Sequence, residues 1–193
     1  MKLGIVIGSV RKERVSDRVA KWVAKEAQNL EGTEVVMIDL IDYKMPFFDE
    51  AASPQYNPNR KVDPEVRKFI DAVAPLDALV IVTPEYNRSY SSVLKNALDY
   101  LDFQLSKKPV QLVAHGSTGG AQAVSHLRAV LPGLGAVTNP TAVMITDRVG
   151  NIISDDGELN EDIKANPYGP QSTLKNALAD LKWYSDALAS ARK

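Results

Sequence analysis

The chain has 193 residues, 23 Lys and Arg against 24 Asp and Glu, and 45% hydrophobic residues. This size predicts one domain over residues 1–193, and the balanced charge argues against a nucleic-acid partner. With no cysteine and only two histidines, the chain has no disulfide framework, and a metal cluster is not expected. The apolar start at residues 1–8 is too short for a bilayer and lacks a signal-peptide cleavage region. We therefore expect a cytoplasmic protein without a membrane partner.

In chain order, short apolar runs alternate with helical patterns. Residues 3–7 predict a buried strand, and apolar residues three or four apart over residues 15–30 predict an amphipathic helix that stops before Gly32. Residues 35–40 predict a second strand. Residues 66–74 predict a helix with Asp63 as its N-cap and Pro64 as its first residue.

The second half of the chain continues this alternation. Residues 78–82 and 110–114 predict two strands, joined by a helix whose apolar face runs from Leu94 to Leu105. A further helix should run from Gly120 to about Leu131, a fifth strand should lie within residues 135–146, and a last helix should cover residues 170–189. The pattern predicts an α/β fold of flavodoxin-like type, a three-layer sandwich with a five-stranded parallel sheet and helices on both faces. In such sheets ligands bind beyond the carboxyl ends of the strands.

Two stretches lie outside this pattern. Residues 43–62 form a long connection that carries Phe47 and Phe48. It is either a functional lid or interface arm, or an excursion whose aromatic side chains pack on the core. Asp155, Asp156 and Glu158 superficially suggest a calcium loop, but the ligand spacing of an EF-hand is absent, so we expect a solvated turn.

The first loop at the carboxyl edge of the sheet covers residues 8–16 and joins a buried strand to a helix. The free amide groups and the dipole of that helix favour a phosphate. Ser9 and Ser16 can donate hydroxyl hydrogen bonds, and Arg11 and Arg14 can supply charge-assisted ones. Neither Gly-Lys-Ser/Thr nor Gly-x-Gly-x-x-Gly is present, which favours the single phosphate of a mononucleotide. Alternatively, Ser16 caps the helix and the arginines are solvated.

The second loop covers residues 83–92 and follows the most apolar strand. Its tyrosines, Tyr86 and Tyr90, can form a wall against a flat ring. Asn87 can satisfy both donors and acceptors on the edge of a heteroaromatic ring. Alternatively, Ser91 or Ser92 caps the next helix and the tyrosines pack on its side.

The third loop covers residues 115–120 and contains three glycines, which allow a backbone to approach a ligand closely. His115 is either an acid–base group or, as we favour, a hydrogen-bonded structural histidine. A serine hydrolase is not indicated, because the chain has no Gly-x-Ser-x-Gly motif.

Taken together, the three loops resemble the NADPH-dependent FMN reductase family, a flavodoxin-like group that includes quinone and azo-dye reductases. The resemblance rests on Gly-Ser-Val-Arg-Lys-Glu-Arg at residues 8–14, on Pro-Glu-Tyr-Asn at residues 84–87 with Leu-Lys-Asn-Ala-Leu-Asp at residues 94–99, and on Gly-Ser-Thr-Gly-Gly at residues 116–120. It spans residues 2–145, and the segment that starts at Pro84 is its most specific part.

The resemblance implies bound FMN as the cofactor and NAD(P)H as the co-substrate, with no catalytic side chain because the flavin carries the chemistry. Many relatives have a small residue at position 14, so Arg14 resembles the quinone-reductase branch. The implied cofactor-binding residues are Ser9, Arg11, Arg14 and Ser16 for the phosphate, Pro84, Glu85, Tyr86 and Asn87 for the isoalloxazine ring, and Gly116, Ser117, Thr118 and Gly119 for its pyrimidine end.

The activity implied by the resemblance is hydride transfer from NAD(P)H, through FMN, to a small-molecule acceptor such as a quinone, free flavin or azo compound. The family also implies a homodimer or homotetramer, in which Phe47 and Phe48 line the site or an interface. Two alternatives stay open: a flavodoxin-like electron carrier, and a flavin-binding regulatory protein without fast NAD(P)H turnover. The nearly neutral charge disfavours the carrier, because short-chain flavodoxins tend to be strongly acidic.

Overall fold

The structure is a computed structural model that describes residues 1–57 and 59–192. Within these residues the chain forms six strands: β1 (Lys2–Ile7), β2 (Glu34–Asp39), β3 (Ala78–Pro84), β4 (Pro109–His115), β5 (Val137–Thr138) and β6 (Val143–Ile145). The same residues form seven α-helices: α1 (Ser16–Gln28), α2 (Pro64–Val73), α3 (Ser92–Asp99), α4 (Ala121–Val130), α5 (Val149–Ile152), α6 (Glu161–Ala165) and α7 (Pro170–Ala191).

The strands form one parallel sheet in the order β2-β1-β3-β4-β5, and β6 also pairs with β4. The predicted fifth strand is therefore present but divided into two short pieces, β5 and β6. In the break between them, the Asn139 side-chain amide donates to Gln111 Oε1 at 2.8 Å and to the Ala177 carbonyl at 3.0 Å. The next residue, Pro140, has no amide hydrogen for the ladder. These two residues explain why the strand is interrupted.

Helices cover both faces of the sheet, because successive strand side chains point to opposite sides. On one face α2, α3 and α4 bury Phe69, Leu94 and Leu127. On the other face α1 and α7 bury Trp22 and Leu178. The predicted three-layer, flavodoxin-like sandwich is confirmed. Among the described residues, no helix combines the length and apolar character needed to cross a bilayer.

Two predicted helix boundaries are confirmed by local hydrogen bonding. Pro64 is the first residue of α2, and the Asp63 side chain accepts a hydrogen bond from the Glu65 amide at 2.8 Å. The first helix ends at Gln28, and Gly32 follows with a φ of 69°. The cap and the glycine therefore act where sequence patterns place them.

The predicted length of α3 is wrong, because the helix ends at Asp99. Leu101 and Leu105 are buried as expected, but they lie in the turns that follow. In those turns the Asp102 amide donates to Gln104 Oε1 at 2.8 Å. Such a local side-chain bond competes with helical hydrogen bonding and helps to end the helix. The prediction was too long because the apolar spacing of three or four residues continues into these turns.

The long connection over residues 43–57 and 59–62 packs on α2 through Tyr43, whose ring contacts Phe69, and then on α3 through Phe48; residue 58 lies outside the described residues. The Phe48 ring packs edge-on against Tyr100 with 5.2 Å between centroids, and the Phe48 amide donates to Asn96 Oδ1 at 2.8 Å. Phe47 and Tyr56 are 82% and 84% exposed. Packing on the core thus accounts for Phe48, and it leaves two large aromatic side chains on the surface.

The acidic segment after α5 forms a turn braced against α1, as predicted. Its ends pair as an antiparallel bridge between Ile153 and Leu159. Asp155 forms an ion pair with Arg18, and Glu158 forms one with Lys25. The carboxylates of this turn therefore serve as surface partners of basic residues on α1.

Candidate functional site

Strand register brings the first residues of the three loops together at the carboxyl edge of the sheet. The Gly8 amide, just after β1, donates to the Val82 carbonyl at 2.8 Å. The Glu85 amide, just after β3, donates to the His115 carbonyl at 2.9 Å, and Gly116 follows directly. After β1 the chain crosses to the face covered by α1, and after β3 it crosses to the face covered by α3. The winding therefore changes direction between these two neighbouring strands, which is where ligands bind in doubly wound folds. A cleft of about 270 Å³ opens there.

In the first loop, Ser9 lies fully buried at the base of the cleft, and its Oγ is 2.8 Å from the Tyr86 hydroxyl. Arg11 and Lys12 line the cleft with exposed side chains. The N-cap of α1 is Val15, which has no side-chain acceptor for the first amides of the helix. The alternative in which Ser16 caps this helix is therefore wrong. Those amides are available to a ligand.

Arg14 has protein partners on both sides. Its Nη1 donates to the Ser9 carbonyl at 2.5 Å and to Asp39 Oδ1 at 2.7 Å, and its Nη2 contacts the second oxygen of Asp39. The hydrogen bond to Asp39 raises the pKa of Arg14 above its ordinary value. This pair ties the first loop to the end of β2. A contact between Arg14 and a phosphate stays a prediction.

Ser16 also has a protein partner. Its Oγ lies 2.9 Å from Nε2 of His115, and both residues are buried. Burial lowers the pKa of His115 from its ordinary 6.5 to about 4, so the imidazole is neutral near physiological pH. A neutral, hydrogen-bonded histidine is what we favoured from the sequence. The contact joins the start of α1 to the end of β4.

The second loop contains a tight hairpin. Tyr86 and Ser89 exchange backbone hydrogen bonds of 2.7 and 3.0 Å, and Asn87 and Arg88 between them have φ values of 48° and 68°. Two successive positive φ values are typical of a type I′ turn. Pro84 lies buried at the end of β3, and Asn87 is exposed at the hairpin tip.

Two further contacts of the second loop hold neighbouring elements. The Glu85 carboxylate accepts hydrogen bonds from Thr118 Oγ1 at 3.0 Å and from the Gln122 amide at 2.9 Å. Ser91 accepts one from the Leu94 amide at 3.3 Å, which confirms it as the cap of α3. Glu85 therefore has a bridging position between the second and third loops.

The third loop is a tight turn that depends on glycine. The Gly119 amide donates to the Gly116 carbonyl at 2.9 Å, and Gly120 has a φ of 79°. A Cβ at Gly120 would lie 2.4 Å from Cβ of Ala114, so a larger residue would displace the loop from the end of β4. Ser117 is exposed beside this turn.

Most of the predicted site residues line this cleft: Arg11, Arg14, Ser16, Pro84, Glu85, Tyr86 and Gly116. Ser9 lies beneath it, whereas Asn87, Ser117, Thr118 and Gly119 lie outside its lining. Sequence reasoning missed Asp39 as the partner of Arg14. It also missed a neighbouring cleft of about 450 Å³ between His115–Ser117 and residues 146–151. Residues 146–151 directly follow the predicted fifth strand. The rule that ligands bind beyond the carboxyl ends of parallel strands could therefore have found them.

Comparison with known proteins decides the family. The sequence model for NADPH-dependent FMN reductases matches residues 1–149. The chain belongs to this family. A 2-hydroxy-1,4-benzoquinone reductase of a Burkholderia species is 34% identical over 172 residues, which are 81% of this chain and 87% of that protein. An NADPH azoreductase of a Bacillus species is 31% identical over 196 residues, covering 100% and 97% of the two chains.

The fold is also found among solved structures. The flavoenzyme NAD(P)H:(acceptor) oxidoreductase FerB from Paracoccus denitrificans has a TM-score of 0.69 and 23% identity, with 98% of this chain and 97% of that chain covered. Family membership confirms the predicted class of activity, NAD(P)H-dependent oxidoreduction that uses FMN.

The cleft fits FMN chemically. Its first loop combines a buried hydroxyl at Ser9, exposed cations at Arg11 and Lys12 and the uncapped start of α1, a set suited to a phosphate. Pro84 and Gly116, which also line the cleft, allow a ring to approach the backbone, and the carboxylate of Glu85 between them is occupied by hydrogen bonds from Thr118 and Gln122.

Proposed function

We propose that this protein is an NAD(P)H-dependent reductase of quinones, flavins or azo compounds that holds FMN in the described cleft, with residues 1–193 acting as one FMN-binding domain. The observation that carries the proposal is the convergence of three ligand-binding loops at one edge of the sheet in a chain of this family. Quinones and azo compounds are proposed as acceptors because two relatives are named as reductases of these compounds.

The phosphate of FMN is assigned to the first loop. Ser9 and Arg11 contact it, together with the free amide groups at the start of α1. Arg14 and Ser16 are assigned to positioning, since Arg14 is engaged by Asp39 and Ser16 by a neutral histidine. Their support is indirect: Arg14 holds the carbonyl of Ser9, so a change at Arg14 displaces the hydroxyl that contacts the phosphate.

The isoalloxazine ring is assigned to the second and third loops. The second loop is assigned to one side of the ring, with Pro84, Glu85 and Asn87. The third loop is assigned to the other side, with Gly116, Ser117, Thr118 and Gly119. The Gly116 and Gly119 amides donate to protein carbonyls, so the Ser117 and Thr118 amides are assigned to the pyrimidine end, where negative charge develops on reduction. The Glu85 carboxylate supports this arrangement, because it joins the two loops through Thr118.

The chain needs few acids or bases for this reaction. When bound, FMN supplies the two-electron transfer between NAD(P)H and the acceptor. The protein would bind the phosphate through the first loop and orient the ring through the second and third loops. His115 is neutral near physiological pH and contacts Ser16, so it is assigned a structural role.

The test is the visible absorption spectrum of the purified protein incubated with FMN, recorded anaerobically before and after NADPH or NADH, and again after benzoquinone. The proposal expects a bound-flavin spectrum that bleaches promptly and recovers with the quinone. Flavin that stays oxidised with both nucleotides would favour the carrier or regulatory alternative. Failure to bind any flavin would refute the site.

A homodimer or homotetramer is part of the proposal. It is supported by the side chain of Phe47, which is 82% exposed. Phe47 lies beside an apolar groove that is lined by Phe48 from the long connection and by Asn96 from α3. Sedimentation equilibrium should give a multiple of the chain mass, which Phe47→Ser reduces and Tyr56→Ser, at another exposed aromatic residue, leaves unchanged. Equal masses for the Phe47→Ser variant and wild type would exclude this surface. The cytoplasmic location stays a prediction.

A further inference from the structure

Tyr86 belongs to the part of the cleft where the phosphate is assigned. Its backbone is held by the hairpin bonds to Ser89, and this directs the side chain across the cleft toward the first loop. There its hydroxyl lies 2.8 Å from Oγ of the fully buried Ser9. The family resemblance instead groups Tyr86 with the residues around the isoalloxazine ring.

The two hydroxyls leave one proton without an acceptor. Ser9 Oγ and Tyr86 OH carry two protons, and their mutual hydrogen bond uses one of them. Ser9 Oγ also accepts a hydrogen bond from the Arg11 amide at 3.5 Å. Among residues 1–57 and 59–192, no acceptor contacts either hydroxyl from the side of the cleft. When Ser9 donates within the pair, the Tyr86 hydroxyl, which lines the cleft, can donate its proton to an anion.

A cation completes the group. The Arg11 guanidinium lies over the Tyr86 ring, with 5.1 Å from Cζ to the centroid. Stacking on an aromatic ring favours one orientation of an otherwise exposed, flexible side chain. The Tyr86 ring thus orders the Arg11 guanidinium. The Tyr86 hydroxyl and this guanidinium then lie side by side, so both can donate hydrogen bonds to one anion in the cleft.

We infer that Tyr86 is a phosphate-binding residue, whose hydroxyl acts with Ser9 and whose ring places Arg11. This inference rests on the proposed function, because it assigns a contact to FMN in the same cleft. It makes the site selective for a phosphorylated flavin: FMN gains from the hydroxyl pair and the ordered cation, and riboflavin gains from neither.

The test compares Tyr86→Phe with wild type in titrations of the apoprotein with FMN and with riboflavin, followed by flavin fluorescence. Phenylalanine keeps the ring and removes the hydroxyl. FMN should bind about tenfold more weakly or worse, as for loss of a hydrogen bond to a charged group. The riboflavin affinity should stay within about twofold, since riboflavin has no phosphate.

Tyr90→Phe is the matched control, because Tyr90 packs against the core and does not line the cleft, and the substitution removes a phenol from the same loop while keeping its ring. It should bind both flavins like wild type. Circular dichroism reports folding. If Tyr86→Phe does not fold, Ser9→Ala removes the other hydroxyl of the pair and should show the same selective loss.

The outcomes separate the two proposals. Equal losses for FMN and riboflavin would make Tyr86 a wall of the ring and overturn the inference. Unchanged FMN affinity in the folded Tyr86→Phe variant would also overturn it, while the proposed function would stand. A wild-type protein that binds neither flavin would refute the proposed function itself.

Discussion

Asp39→Asn tests whether Arg14 positions the first loop or binds the phosphate directly. In the structure the Arg14 guanidinium contacts both oxygens of Asp39 and the carbonyl of Ser9. Asparagine keeps the side-chain oxygen that accepts from the Ile41 amide, so the turn after β2 retains its cap. The substitution removes the charge and one acceptor, and little else.

The expected loss of stability follows from the burial of the pair. The Arg14 and Asp39 side chains are 14% and 21% exposed, between a surface pair and a fully buried one. Surface pairs contribute up to about 1 kcal/mol, and breaking a buried pair costs ~3–5 kcal/mol. We expect the free energy of unfolding to fall by ~2 kcal/mol. We also expect weaker FMN binding, because the Ser9 carbonyl loses a fixed partner.

Urea unfolding of the apoprotein measures the first effect, and FMN titration measures the second. The two roles of Arg14 predict opposite signs for FMN. If Asp39 merely competed with the phosphate for Arg14, removing its charge would tighten FMN binding. Asp42→Asn is the control, since the exposed Asp42 carboxylate raises the pKa of Arg14 through its charge alone, without the hydrogen bonds that Asp39 makes. Tighter FMN binding by Asp39→Asn than by wild type would refute the positioning role.

Two further predictions concern the same cleft. Arg11→Ala should weaken FMN binding by ~1.5–3 kcal/mol in a fluorescence titration, because a charge-assisted bond is lost. It should leave urea unfolding of the apoprotein unchanged, and equal FMN affinities would remove Arg11 from the site. For His115, the folded pKa of about 4 lies below the ordinary 6.5, so the unfolded chain binds a proton first as the pH falls. Wild-type stability should therefore drop by about 3 kcal/mol between about pH 6.5 and 4. The same pH dependence in His115→Gln would show that another group causes the drop.

The strands, the helices and the three-layer arrangement were predictable because they depend on short-range patterns. The central strands β3 and β4 are buried along their whole length, and α1 buries one apolar face. Right-handed crossovers then leave few topologies. The interruption at Asn139 was not predictable, because the acceptors of its side chain lie on β4 and α7.

The sequence by itself determined which loops form the site. Parallel strands end at one edge of a sheet, so residues 8–16, 83–92 and 115–120 had to meet wherever the fold formed. The motifs in these loops also indicated the family, which the comparison then confirmed.

Only the tertiary structure decided what each side chain does within that site. Arg14 contacts Asp39 across 25 residues, Tyr86 contacts Ser9 across 77, and Ser16 contacts His115 across 99. Such partners depend on strand register and on the direction of each side chain, neither of which a local pattern contains. The two serines of the first loop therefore look equivalent in the sequence, as do its two arginines, yet the packing of neighbouring elements gives each of them a different partner.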